Sequence, residues 1–120
     1  EEDKELEFES AANGVVGLET AFGVCYTLVE KGELTLERLV ESLTTSSAKI
    51  FNFSDCGQLK AGLLAEFAAV DLKSPWTVDP QKFLSKARNT CFKGWNMNAR
   101  VTNTFLGGRM IFDFEKGILQ

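Results

Sequence analysis

The sequence predicts an α+β chain, helical over its first half and stranded over its second, and three observations lead there. Val15, Leu18, Phe22, Cys25 and Val29 recur at three-and-four spacing, which places them on one face of a helix. Leu36, Leu39, Val40 and Leu43 repeat that pattern directly behind Thr35, a residue suited to capping a helix start. Near the end, Val101 to Leu106 and Arg109 to Phe114 are strand-like runs on either side of Gly107-Gly108. Two glycines meet the positive backbone angles that a tight hairpin turn requires.

Taken in order, residues Glu1 to Asn13 hold six carboxylates in the first nine positions and no apolar period, so they read as a solvated loop rather than a functional acidic cluster. Asn13-Gly14 is a turn signal. The first apolar stripe follows it and predicts a core-facing helix that stops near Lys31-Gly32. Thr35 then caps a second helix, with Glu37 in its first turn where the helix dipole favours a negative charge. Ser46 or Ser47 caps a short third helix through Ile50 and Phe51. After Asp55-Cys56-Gly57 the character changes. Gly57 and Gly62 frame a turn-rich stretch, and Phe67 to Leu72, apolar apart from Asp71, has the length of a buried strand. Trp76 to Val78 adds a short extended piece between Pro75 and Pro80, and the glycine hairpin closes the chain. No internal repeat or low-complexity segment is visible.

Composition narrows the function classes. With 120 residues and 44% hydrophobic content, including ten Phe and two Trp, the chain is sized for one unit with a modest core and does not resemble a disordered tail. A net charge of -4 with scattered basic residues removes the electrostatic basis for binding nucleic acid. No apolar run approaches a membrane span, and the acidic start is the opposite of a signal peptide. Cys25, Cys56 and Cys91 are odd in number and form no C-x-x-C pair, so a reducing cytoplasm fits and a disulfide framework does not. There is no histidine. Chemistry that needs an imidazole base or a His-bound metal must therefore take it from elsewhere.

Nothing in the chain forms a self-sufficient catalytic centre. Asp55 and Cys56 adjoin Gly57, but lacking a histidine or a suitably spaced basic residue they read as a turn with a buried cysteine, not a catalytic thiol. Gly14 and Gly17 make a lone G-x-x-G with no preceding strand, which reads as the turn before a helix rather than a nucleotide loop.

Family resemblance adds to this. The stretch AANGVVGLETAFGVCYTLVEKGELTLERLVESLTTSSAKIFNF, residues 11–53, resembles the segment that follows the metal-binding D-H-A-P-H motif in dihydroorotases of the long bacterial type. Later pieces agree in order: GQLKAGLLAEFAAVDL, FLSKARNTCFKGW and RVTNTFLGGRMIF are similar to the family's G-x-L-x-x-G-x-x-A-D-L strand, its S-K-x-x-N-T-P-F-x-G stretch and its closing hairpin. The likeness covers nearly the whole chain. Ala12 and Cys91 stand where the family commonly has Pro, and Glu66 where it commonly has Asp; Ala12 leaves the adjoining loop less constrained than usual.

The resemblance implies a parent with a metal-bearing (β/α)8 barrel and a small β-rich domain built from both ends of the chain. Residues 1–56 would be the end of the barrel, with its last helices, and residues 57–120 strands of the small domain. It implies a zinc-dependent cyclic amidohydrolase that interconverts N-carbamoyl-L-aspartate and dihydroorotate in pyrimidine biosynthesis. Zinc and the catalytic residues would belong to the parent, with D-H-A-P-H ending a few residues before Glu1; no catalytic residue or metal ligand is expected in this chain, and the chain alone is expected to be inactive. Of the site, the resemblance assigns Asn13 and Gly14 to a loop that closes over the substrate, beside the alternative of an ordinary helix-start turn. Expected partners are the small-molecule substrate and the rest of the barrel, with homo-oligomers left open and neither nucleic acid nor membrane involved. The rival readings are another cyclic amidohydrolase, such as an allantoinase or hydantoinase, and a non-catalytic scaffold of dihydroorotase type beside aspartate transcarbamoylase.

Overall fold

A computed structural model describes residues 7, 9, 10 and 14–119. Three helices come first: α1 (Ala21–Glu30), α2 (Leu36–Leu43) and α3 (Thr45–Ile50). Six strands follow: β1 (Phe67–Asp71), β2 (Trp76–Thr77), β3 (Asn96–Met97), β4 (Arg100–Leu106), β5 (Arg109–Asp113) and β6 (Gly117–Ile118). The α+β division expected from the sequence is therefore present among the described residues.

α1 begins later than its apolar stripe predicts. Val15 and Val16 are non-helical, Leu18 to Thr20 form a turn, and Leu18 is 96% exposed rather than on the core face. The physical reason is tertiary. The Val16 N–H donates to the Asn89 carbonyl at 2.8 Å, an interaction that holds this backbone to a distant loop. At the other end the sequence expectation holds: Gly32, at φ +74°, donates to the Val29 carbonyl at 3.0 Å, and Glu33 donates to Leu28 at 2.9 Å. That pair of bonds is a Schellman motif, which satisfies carbonyls the helix itself leaves open.

Thr35 caps α2 as expected, its hydroxyl accepting from the Arg38 N–H at 3.2 Å. Only Leu39 of the predicted stripe is buried, at 2% exposure, while Val40 and Leu43 are exposed. α3 corrects the sequence reading by starting at Thr45, with Thr44 as its N-cap and no side-chain cap bond. Ser47 instead donates its hydroxyl to the Ser42 carbonyl at 2.6 Å, so it links α3 to α2. Ile50 and Phe51, at the end of α3, are exposed.

The main sheet is antiparallel with strand order β1-β4-β5-β6. The predicted hairpin joins β4 to β5, with Leu106 opposite Arg109 and both turn glycines at positive φ, +57° and +81°; β5 ends at Asp113, so Phe114 belongs to the next turn. That turn is closed by Asp113, whose carboxylate accepts from the N–H groups of Glu115 and Lys116 at 3.0 and 3.1 Å. Phe67 on β1 faces Phe105 on β4, and their rings stack with centroids 4.6 Å apart. A separate two-stranded ladder pairs β2 with β3.

Between β1 and β4 the chain leaves the sheet, forms the β2–β3 ladder, and packs back on α1. Val78, Phe83 and Met97 make the buried cluster, with Val16, Val24, Trp76 and Phe92 against it. Gly23 allows α1 to approach closely: a Cβ there would lie 2.6 Å from the Met97 sulfur. The Trp76 indole N–H donates to the Ala99 carbonyl at 2.9 Å. Arg100 lies over both Trp76 and Phe114, at 5.6 and 4.2 Å from their ring centroids. No helix among the described residues is long and apolar enough to cross a membrane.

Candidate functional site

Of the two residues assigned to the substrate loop, Asn13 lies outside the described residues, whereas Gly14 is placed at the head of the turn leading into α1. Gly14 is exposed, with φ +63°. That left-handed backbone is cheap for glycine and strained for a branched side chain. The space beside it is open, since a Cβ added at Gly14 meets nothing within 4 Å. An exposed backbone with no side chain in front of it is what close approach to a flat ring requires.

The turn is held from two directions. On its own side, Thr20 is buried and its backbone N–H and hydroxyl both donate to the Gly17 carbonyl, at 3.0 and 3.2 Å. Across the molecule stands the loop carrying the SKARNT sequence. Asn89 reaches the turn twice: its carbonyl accepts from Val16 N–H at 2.8 Å, and its amide donates to the Gly14 carbonyl at 3.2 Å. Glu19 reaches back, its two carboxylate oxygens each accepting a backbone N–H at 3.0 Å, from Leu84 and from Ser85. The same loop is folded around Arg88, whose guanidinium donates to the carbonyls of Ser85 and Ala87. The structure thus joins the GVVGLE and SKARNT stretches into one unit with Gly14 at its surface.

Sequence reading singled out both stretches but gave no role to Glu19 or Asn89. No spacing rule links them, because their partners are backbone groups 65 to 75 positions away.

Asp55 and Cys56 line an open depression of about 300 Å3 with Asn52, Phe53, Ser54, Leu64 and Glu66. Asp55 accepts the Ser54 hydroxyl at 2.6 Å, a side-chain bond between neighbours, and both residues lie in a run of bends rather than in a helix or strand. Among the described residues no group of three or more His, Cys, Asp or Glu that could hold an ion occurs, and the sequence holds no histidine.

Comparison with known proteins gives consistent results. The sequence pattern described as "Amidohydrolase family" matches residues 6–111. A dihydroorotase of Anaeromyxobacter dehalogenans is 47% identical over 114 residues, covering 95% of this chain and 26% of that protein. A dihydroorotase of Geobacter metallireducens is 41% identical over 111 residues, covering 92% of the chain and 26% of that protein. Among solved structures, an L-hydantoinase (dihydropyrimidinase) from Arthrobacter aurescens superposes with a TM-score of 0.85 at 30% identity, over 95% of this chain and 26% of its own. A D-hydantoinase (dihydropyrimidinase) from Thermus sp. has the same TM-score, 0.85, at 22% identity over 99% of this chain and 27% of its own, a likeness of fold. The chain spans about a quarter of the length of the relatives it matches.

Proposed function

This chain belongs to the amidohydrolase family, and from that premise we propose that it is the C-terminal part of a dihydroorotase, the cyclic amidohydrolase that interconverts N-carbamoyl-L-aspartate and dihydroorotate. The observation that carries the reading is the degree of likeness: 47% identity to a dihydroorotase over 95% of the chain, against 30% to a hydantoinase over the same share. The parent is a cytoplasmic enzyme of pyrimidine biosynthesis. Its zinc is held by residues outside this chain, which contains no histidine.

In this reading residues 1–56 contribute the end of the (β/α)8 barrel and residues 57–120 the strands of the small domain. Among the described residues the three α-helices precede residue 56, while the four-stranded sheet and a 3-10 turn at Pro80–Lys82 follow it, which supports the division. The β2–β3 excursion reaches back across it to α1. The turn at Asn13 and Gly14 contacts the substrate. Its exposed, left-handed Gly14 backbone supports that role, since a glycine carries no side chain of its own to hold a flat ring off the main chain.

The structural likeness to hydantoinases favours one second reading, a cyclic amidohydrolase that takes a different ring. Steady-state assays of the purified, metal-loaded full-length protein against dihydroorotate, hydantoin and allantoin separate the two. Dihydroorotate is expected to have the highest kcat/KM. Preferred turnover of hydantoin or allantoin would transfer the assignment, and a protein inert toward all three would be a scaffold. Residues 1–120 alone are expected to show no turnover above a buffer blank with added zinc.

A further inference from the structure

Glu19 lies between Gly14 and α1 and commits its whole carboxylate to the SKARNT loop. Leu84 and Ser85, adjacent in sequence, each donate a backbone N–H to it at 3.0 Å. Successive main-chain donors converging on one anion make a concave, positively polarised seat, and bonds to an ionised acceptor are stronger than neutral ones. Two further bonds, both through Asn89, tie Val16 and Gly14 to the same loop. The helix behind the turn does not depend on these links. α1 is seated by Gly23 against Met97 and by Val24 against the buried cluster, and it is closed at its far end by the bonds of Gly32 and Glu33. What Glu19 adds is the tie between this turn and the Leu84–Ser85 backbone.

We propose that Glu19 is a positioning residue for the substrate turn, fixing the Gly14 backbone at the height and angle at which it meets the bound ring. The inference rests on the dihydroorotase reading and on the placement of Gly14 in substrate contact. Glu19 touches no reacting atom, so its removal weakens substrate binding more than it slows the chemical step. Alanine removes both acceptors. Glutamine keeps one oxygen for one N–H but turns its own amide donor toward the other, and falls between.

The test is steady-state kinetics on the full-length protein with Glu19→Ala, Glu19→Gln and Asn89→Ala, alongside metal analysis and thermal unfolding. Glu19→Ala is expected to raise KM for dihydroorotate roughly tenfold with kcat within about twofold of wild type. Glu19→Gln should give an intermediate KM, and Asn89→Ala, which removes the side-chain bond to Gly14, a rise of roughly threefold. Metal content should be unchanged in all three. An unchanged KM in Glu19→Ala would overturn the proposal, as would losses of kcat and metal together, which mark a collapse of the whole site. Should Glu19→Ala fail to fold, the KM values of the other two variants decide in the same way. A wild-type protein that turns over hydantoin instead overturns the dihydroorotase reading alone, because the KM ratios are then measured with that ring. One inert toward every ring overturns both.

Discussion

Asn13 and Gly14 adjoin in the chain, yet substitutions at the two should differ in kind. Valine at position 14 would have to hold φ +63°, a left-handed conformation that disfavours a side chain by roughly 1–2 kcal/mol, most of all a branched one. Its Cβ would meet no neighbour within 4 Å, so the harm is chiefly conformational and falls on whatever approaches the turn. Alanine at position 13 removes one amide side chain, and a lost neutral hydrogen bond costs about 0.5–1.5 kcal/mol. In the full-length protein Gly14→Val should therefore lower kcat/KM by roughly tenfold or more, and Asn13→Ala by a few-fold, both with unchanged metal content. Wild-type kinetics in both would reduce the turn to a structural one. Sequence reading reached Gly14 through turn chemistry and family likeness. It missed Glu19 because a carboxylate is read by its spacing to other side chains, and the groups Glu19 binds are main-chain N–H groups of Leu84 and Ser85, which every residue but proline carries.

Among the elements, α1 and the β2–β3 ladder meet through the smallest side chain available. A Cβ at Gly23 would lie 2.6 Å from the Met97 sulfur and 3.3 Å from the Ala99 carbonyl oxygen, and Met97, at 1% exposure, has little room to yield. Gly23→Val should destabilise the full-length protein by about 1–3 kcal/mol through overpacking. Gly23→Ala brings the same Cβ against Met97 and Ala99 and should also destabilise, but less than valine, because alanine recovers up to about 1 kcal/mol of helix propensity over glycine. Urea unfolding measures both. A valine variant as stable as wild type would mean that α1 is not seated on β3. The elements legible beforehand are those whose signals are local: Thr35 capping α2, Gly32 stopping α1, and the glycine pair of the β4–β5 hairpin. The start of α1 was not, because Asn89 takes the Val16 N–H and distant contact outweighs the local apolar stripe. β3 and β6, two residues each, are too short to carry a period.

At the scale of the whole molecule, surface and shape are those of a part. The radius of gyration is 16.3 Å, against about 14 Å for a compact domain of this length. The accessible surface is 9172 Å2, where a folded monomer of this mass exposes roughly 6,500 Å2. Ile50, Phe51, Phe53, Leu59 and Leu64 stand exposed along one stretch of chain, and β1 and β6 are the outer strands of the sheet. Residues 1–120 in isolation should therefore self-associate at tens of micromolar. Sedimentation velocity checks this, and a strictly monomeric chain would count against a missing covering partner. Family likeness made the partial character legible, whereas no single motif shows how much apolar surface is left uncovered. The bonds from Glu19 to Leu84 and Ser85 have a consequence in time as well as in space. The β4–β5 hairpin closes over two residues, but the Glu19 links span 65 and 66 positions. Ring closure of that length carries a larger entropic penalty, and both Glu19 bonds are exposed, so the turn proposed to meet the substrate should close only after the two halves of the chain have come together and should open before the buried cluster does.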